Sequence, residues 1–198
     1  MPVPSPPYLT PNASLSAPPQ AQGGQSLVEF AVSSVVLLLL VGGLVDIGRS
    51  VYVSEALSNA AREGARHGAW FDTPSRSHPY LDDAEIKAAV DTELASIGLP
   101  ASVLKNPATT CPNPTDGNAF HNPPFASAAY PASAGQPWLY ICYNNTAGLD
   151  FTSPATNQGQ LDLNVIVLYT YGPLTPLVQS QFGVFRVAVN QHMTVQGS

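Results

Sequence analysis

The fold is decided by one stretch, residues 24–53, which reads GQSLVEFAVSSVVLLLLVGGLVDIGRSVYV. From Phe30 to Val45 it contains no charged residue. With its weakly polar flanks it reaches about 20 residues, the length of helix that crosses a hydrocarbon core about 30 Å thick. We therefore predict a transmembrane helix over residues 25–53. Ionisable groups frame it, with Glu29 at its start and Asp46 and Arg49 at its end. Such groups are costly at membrane depth and are functional by default, so each requires a partner.

The segment before this helix is a Pro-rich tract. Residues 1–24 contain seven prolines, no charged side chain and few apolar residues, which leaves little material for a core. We predict that this tract is a disordered leader. It has no basic region of the kind that begins a secretory signal, so Gly24 is the one plausible processing point.

Composition excludes several classes of function. The chain has 198 residues, 10% of them charged, and a formal net charge of −6. A nucleic-acid surface needs clustered Lys and Arg, which are missing here. The four histidines are scattered, and no catalytic or metal-ligating spacing is present, so we expect neither an enzyme nor a metal or cofactor site. Cys111 and Cys142 favour a disulfide if the domain is exported, the alternative being two buried thiols.

Beyond the apolar stretch the helix is predicted to continue to about residue 69, with a narrow stripe of small residues that includes Ala60, Gly64 and Gly68. Small residues let another backbone approach closely. Two interpretations stay open: the stripe packs on the protein's own sheet, or it packs on the helices of neighbouring subunits. A second, amphipathic helix is predicted over residues 82–97, with Asp82 as its N-cap.

The remainder of the chain has the pattern of β-structure with long loops. The segment 161–171 alternates at first and then becomes apolar on both faces, which is typical of a central strand, and strand 185–195 alternates as a half-buried strand does. Shorter strands are predicted at 102–105 and 138–143, an irregular segment at 106–136, and a connection at 172–183 with one helical turn. The predicted fold is α+β: a long N-terminal transmembrane helix, a short second helix and a small antiparallel sheet, with the extracytoplasmic domain at residues 54–198.

Four elements, taken in order, resemble the TadE-like family. They are QSLVEF at residues 25–30, DIGR at 46–49, NAAREGAR at 59–66 and PLTP at 173–176. The resemblance is close over about residues 24–70 and looser over 160–196. Residues 71–159 are not diagnostic of the family. Its members are minor pilins or pseudopilins of the tight adherence (Flp) pilus, a type IV pilus system. The resemblance therefore implies a non-enzymatic subunit that takes part in pilus assembly.

The same resemblance implies roles for individual residues. A prepilin peptidase would cut after Gly24, so that Gln25 becomes the new N-terminus and Glu29 the fifth mature residue. The expected assembly residues are Glu29 and Phe30, together with Asp46 and Arg49, which we expect to pair with each other where the helix leaves the lipid. A cationic α-amine, of the same or an adjacent subunit, would be the partner of Glu29. The implied partners are membrane lipid, the peptidase, other pilin subunits and the pilus assembly platform.

The sequence leaves one alternative for the membrane orientation of the C-terminal domain and one for the function of the protein. Arg49, Arg62 and Arg66 follow the apolar stretch, a charge bias that by itself places the C-terminal domain in the cytoplasm. The family topology, a single-pass protein of the bacterial inner membrane with an exported C-terminal domain, suits the two cysteines better, and we adopt it. The alternative function is a membrane-tethered domain for adhesion or ligand binding that has no part in a pilus.

Overall fold

The computed structural model describes residues 1, 3, 23–69, 82–105, 110–118, 120–143 and 161–195. The predicted disorder of the leader falls almost entirely outside these residues. The chain divides into two compact units, Met1–Leu38 and Leu39–Ser198.

The first helix, α1, runs over Gly23–Gly68 and contributes to both units. Its beginning and end agree with the prediction to within two residues. Among the described residues it is the one helix that is long and apolar enough to cross a membrane, with a mean hydropathy of 2.4 in its most apolar window. Most side chains of that window are exposed, as a lipid-facing helix requires. This helix fits a single-pass membrane protein.

The second unit contains a four-stranded sheet in the order β1-β2-β3-β4. The strands are β1 (Val103–Leu104), β2 (Trp138–Tyr143), β3 (Leu161–Tyr171) and β4 (Phe185–Val195). The central position predicted for β3 is confirmed, since it pairs antiparallel with β2 on one side and with β4 on the other. Two further helices are α2 (Asp83–Ser96) and α3 (Pro176–Phe182), and α3 is the helical turn expected between the last two strands. The α+β fold is thus confirmed.

One strand pair corrects the predicted topology. β1 runs parallel to β2, so the sheet is mixed rather than antiparallel. Parallel neighbours need a crossover of a dozen or more residues, and the long connection between Leu104 and Trp138 is sufficient. The alternation of a two-residue strand carries no information about its direction, which is why the sequence pattern missed it.

Both faces of the sheet are covered. The odd-numbered residues of β3, such as Val165 and Val167, pack against α1 and α2 in one buried cluster. The even-numbered residues Ile166 and Leu168 belong to a second cluster with Phe125, Tyr130 and the two cysteines. The irregular segment before β2 therefore forms the cover on the side away from the helices. This arrangement explains why β3 is apolar on both faces.

The small residues of α1 pack within the protein's own domain. A Cβ at Gly64 would lie 2.5 Å from Val90 Cγ2, and one at Gly68 would lie 2.6 Å from both Ile86 Cδ1 and Leu163 Cδ2. Real Cβ atoms do not approach other atoms this closely, so a larger residue at either of these crossings of α1 with α2 and β3 would force the neighbouring side chains to move. The first of the two open interpretations of the stripe is the correct one.

These contacts set the direction of α1 relative to β3 within the second unit. Gly68 lies against Leu163 near the start of β3, whereas Asp46 is hydrogen-bonded to Tyr171 at its end. The helix and the strand are therefore antiparallel. The end of the sheet at Tyr171 and Phe185 lies beside the part of α1 where the apolar stretch finishes.

The second helix begins as the sequence indicates. Asp82 is the N-cap of α2, and its carboxylate accepts a hydrogen bond of 2.8 Å from the Ala84 backbone N–H. The buried side chains Ile86, Val90 and Leu94 then form the apolar stripe of α2.

Candidate functional site

The first candidate site lies near the start of α1. Gly24 is exposed, and a Cβ placed there would meet nothing within 4 Å. Gln25 and Glu29 are four residues apart in the helix, so their side chains lie on one face. Both are exposed, as is Phe30. Among the described residues, no hydrogen bond or ion pair to the Glu29 carboxylate is present. The geometry therefore presents a carboxylate on a helix surface that has no other charged side chain nearby, accessible to another molecule.

The second candidate site is centred on Asp46, whose residue is only 3% exposed. Its Oδ1 accepts a hydrogen bond of 2.8 Å from the Leu174 backbone N–H, and its Oδ2 accepts one of 3.0 Å from the Thr175 backbone N–H. The Thr175 side chain forms a further hydrogen bond with the same carboxylate. The backbone of Asp46 also takes part, because its carbonyl accepts a hydrogen bond of 3.3 Å from the Tyr171 hydroxyl. One side chain thus fastens α1 to the connection between β3 and β4.

The local sequence explains why these two N–H groups are available. Thr175 is the N-cap of α3, Pro176 follows it, and the Thr175 side chain does not cap its own helix. The N–H of the N-cap residue Thr175 has no acceptor within the helix, and the Leu174 N–H lies directly before it in the turn. A carboxylate also interacts favourably with the start of a helix. Asp46 therefore supplies from another element the acceptor that the turn before α3 needs.

The predicted ion pair between Asp46 and Arg49 does not form. Ion pairs among the described residues are Glu63–Arg66, Lys87–Asp91 and Asp162–His192. Arg49 is exposed, and its guanidinium carbon lies 5.7 Å from the centre of the Tyr171 ring. Burial raises the pKa of the Tyr171 phenol, and the charge of Arg49 opposes that shift. Three-residue spacing was compatible with a pair, but Asp46 is already fully engaged by the turn at 174–175.

The predicted disulfide is present. Cys111 and Cys142 are bonded, with their Cα atoms 6.3 Å apart and a sequence separation of 31 residues. Cys142 lies in β2 and both cysteines are buried in the second cluster. The bond therefore ties the irregular segment to the face of the sheet that the helices leave uncovered.

The structure also reveals a polar cluster that the sequence patterns did not indicate. His192 Nδ1 lies 3.0 Å from Asp162 Oδ2, and its Nε2 lies 2.7 Å from Asn122 Oδ1. Asn190 donates to the same Asn122 oxygen at 2.6 Å, while Asn164 donates to the carbonyl of Phe120. These bonds hold the loop at 120–122 on β3 and β4. The pairing of β3 with β4 could have indicated this cluster, because Asp162 lies opposite Thr194, which is two residues from His192 on β4.

Within the part of the chain that the structure describes, no group of three or more His, Cys, Asp or Glu side chains is arranged to hold a metal ion.

A long apolar helix that continues into a small α+β domain fits a single-pass membrane protein. Residues 24–66 match the family model described as TadE-like protein. The matched region includes Gly24, Gln25, Glu29, Asp46 and Arg49, and it agrees with the resemblance noted in the first part of the sequence. It does not extend to residues 160–196, where the resemblance is looser. No curated protein and no solved structure gives a significant match. The family suggests involvement in the tight adherence pilus system and is generally non-enzymatic.

Proposed function

We propose that this protein is a non-enzymatic minor pilin or pseudopilin that takes part in assembly of a tight adherence pilus. The observation that carries the proposal is the match over residues 24–66 together with an exposed Glu29 five residues after Gly24. A prepilin peptidase removes the leader after Gly24. The mature chain is held in the inner membrane by α1, with its C-terminal domain outside the cytoplasm.

The role of Glu29 follows from its surroundings. Its neighbours Val28 and Phe30 are exposed apolar side chains, so Glu29 would enter a lipid environment with little to solvate its charge. An isolated carboxylate there is costly, whereas a carboxylate paired with a cation is tolerated. The α-amine that cleavage creates at Gln25 is a cation near this depth. Pairing between subunits would therefore favour one register of the helices during assembly.

The packing of α1 supports assembly through its N-terminal part. The stripe formed by Leu57, Ala61 and Ala65 is buried on the protein's own sheet and on α2. That face is unavailable to another subunit unless the domain opens. The exposed apolar side chains of α1, most of which precede Asp46, therefore form a surface that can contact neighbouring pilin helices.

Processing is tested by mass spectrometry of the protein purified from the membranes of its native host. We expect the mature chain to begin at Gln25. A chain that retains Met1 when the pilus is present would contradict cleavage after Gly24. A Gly24→Leu variant is the matched control, because its bulky side chain should block the peptidase and leave the leader attached.

Assembly is tested with Glu29→Gln, which removes the charge and keeps the shape of the side chain. Glu55→Gln is the matched control, since Glu55 is an exposed carboxylate farther along α1, beyond the predicted span. We expect Glu29→Gln to abolish pili seen by electron microscopy while the protein stays at its normal level in the membrane. Glu55→Gln should leave the pili unchanged.

Normal pili with Glu29→Gln would refute the assembly role. If deletion of the gene also leaves pili intact, the alternative of a membrane-tethered adhesive domain replaces the pilus role. Cell attachment measured in the same strains would then separate an adhesive domain from one without that activity.

A further inference from the structure

The connection between β3 and β4 carries an unusual exposed surface. From Gly172 to Phe185 it contains no charged residue. Four large apolar side chains among its described residues are nevertheless exposed: Leu174, Phe182, Val184 and Phe185. Phe182 is 71% exposed, which is unusual for an aromatic residue outside a binding surface. We call this segment, residues 172–185, the apolar connection.

The position of the apolar connection along α1 is set by direct contacts. Asp46 accepts the hydrogen bonds from Leu174 and Thr175, and Asp46 follows immediately after the charge-free stretch that ends at Val45. One turn earlier, a Cβ at Gly42 would lie 3.1 Å from Thr175 Oγ1. The connection therefore lies beside the last turn of the apolar stretch, at the level where α1 leaves a membrane.

A cavity of about 390 Å³ lies between α1 and the apolar connection. It is lined on the helix side by Gly43, Asp46, Ile47 and Ser50, and on the other side by Val178, Phe182 and Phe185. The exposed side chains of Leu40, Leu44 and Ile47 extend the same apolar surface along α1. The two elements thus form one continuous apolar surface within the second unit.

We propose that the apolar connection is a second membrane-contacting element, which inserts into the lipid leaflet at which α1 emerges. Leu174 and Phe182 enter the hydrocarbon boundary, and the cavity beside Ile47 is filled by lipid acyl chains. The proposal rests on the membrane span of α1 in the proposed function. It adds a contact made by the folded domain, which no part of the family match includes.

Charge and continuity favour lipid as the occupant. The surface is continuous with a helix segment that must itself lie in lipid, so a bilayer covers both without any rearrangement. Asp46, the one carboxylate at this level, is already bonded by the Leu174 and Thr175 N–H groups. Its charge is therefore solvated by backbone donors of the protein, which lowers the cost of placing it beside lipid. A protein partner would have to enter the same leaflet to reach Phe182, and it is treated below as an outcome of the test.

The test measures the depth of single spin labels in the full-length protein, reconstituted in liposomes of phosphatidylethanolamine and phosphatidylglycerol. Cys111 and Cys142 are bonded to each other, so a label reacts only with an added cysteine. Labels are placed by Phe182→Cys and, as a second report on the same surface, by Leu174→Cys. Collision with lipid-soluble oxygen is compared with collision with a water-soluble nickel chelate.

The matched control is Phe120→Cys. Phe120 is also an exposed aromatic residue, at 60%, but its backbone is bonded to Asn164 near the other end of β3. We expect the ratio of oxygen to nickel collisions to be several-fold higher for labels at residues 174 and 182 than for the label at residue 120. A ratio at residue 182 equal to that at residue 120 would overturn the proposal.

A third label separates this inference from the proposed function. Leu38 is exposed within the apolar stretch, so Leu38→Cys reports on the span itself. A lipid-exposed label at residue 38 with water-exposed labels at 174 and 182 rejects only the second contact. A water-exposed label at residue 38 rejects the membrane span and with it both proposals. A label at residue 182 that neither reagent reaches indicates contact with another copy of the protein and also overturns the lipid assignment.

Discussion

Replacing Asp46 by alanine tests the central contact of the second unit. The change removes the acceptors of the Leu174 and Thr175 N–H groups, which lie 2.8 Å and 3.0 Å from the carboxylate oxygens. A partly buried donor left without an acceptor costs about 1–3 kcal/mol. Because the chain can relax at an exposed turn, we expect a total loss of about 3 kcal/mol rather than the sum of two maximal values.

Two measurements on the full-length protein in detergent report this loss. If the domain unfolds as one unit, about 3 kcal/mol lowers Tm by about 6–12 °C, at 2–4 °C per kcal/mol for a domain of this size. If only the connection opens, hydrogen exchange of the α3 amides rises by about a hundredfold, since 1.4 kcal/mol corresponds to a factor of ten. Circular dichroism measures the first quantity and mass spectrometry the second.

Arg49→Gln distinguishes this mechanism from an ion pair. If Asp46 acted mainly through Arg49, removing the arginine would cost as much as removing the aspartate. The structure instead gives Arg49 a contact with the ring of Tyr171, which at an exposed site contributes about 0.5–1 kcal/mol. Equal losses for the two variants, or no change in either Tm or exchange for Asp46→Ala, would refute the reasoning.

Two other predictions concern the core. Gly64→Ala places a Cβ 2.5 Å from Val90 Cγ2 and should destabilise the domain by about 1–3 kcal/mol through overpacking. Gly48→Ala is the control, because the space around Gly48 is open. Thermal unfolding compares the two variants, and equal Tm values would contradict the close crossing at Gly64. Replacing both Cys111 and Cys142 by serine should cost about 3–4 kcal/mol, the chain-entropy value for a loop of this length. Denaturant unfolding measures that loss, and the wild-type protein with a reducing agent should match the double variant; stability unaffected by reduction would argue against a structural bond.

The sequence predicted those elements whose local pattern has a single physical solution. A charge-free and mostly apolar stretch such as 30–45 is a helix in lipid or a buried one, and its length together with its flanking residues decided between them. The two apolar faces of β3 required two covering layers, and the structure has α1 and α2 on one and the segment around Phe125 on the other. The N-cap at Asp82 was likewise a local property of the chain.

The features that the sequence did not predict depend on contacts between distant residues. The partner of Asp46 lies 128 residues away and consists of backbone N–H groups, which leave no signature in side-chain patterns. Arg49, three residues away, was therefore the only partner that a local argument could find. The parallel direction of β1 depends in the same way on the path of a long connection rather than on its own two residues.

The attachment at Asp46 also has a mechanical consequence. Within the second unit, a force drawn along α1 is carried to the connection between β3 and β4 at Asp46, where the hydrogen bonds from Leu174 and Thr175 share the load. Farther along, the buried side chains from Val53 to Ala65 resist sliding together, because they lie in a row against an antiparallel strand. Such an arrangement is loaded in shear instead of being peeled open one contact at a time. Within the second unit, the sheet and the part of α1 after Leu38 are therefore expected to separate in one cooperative step.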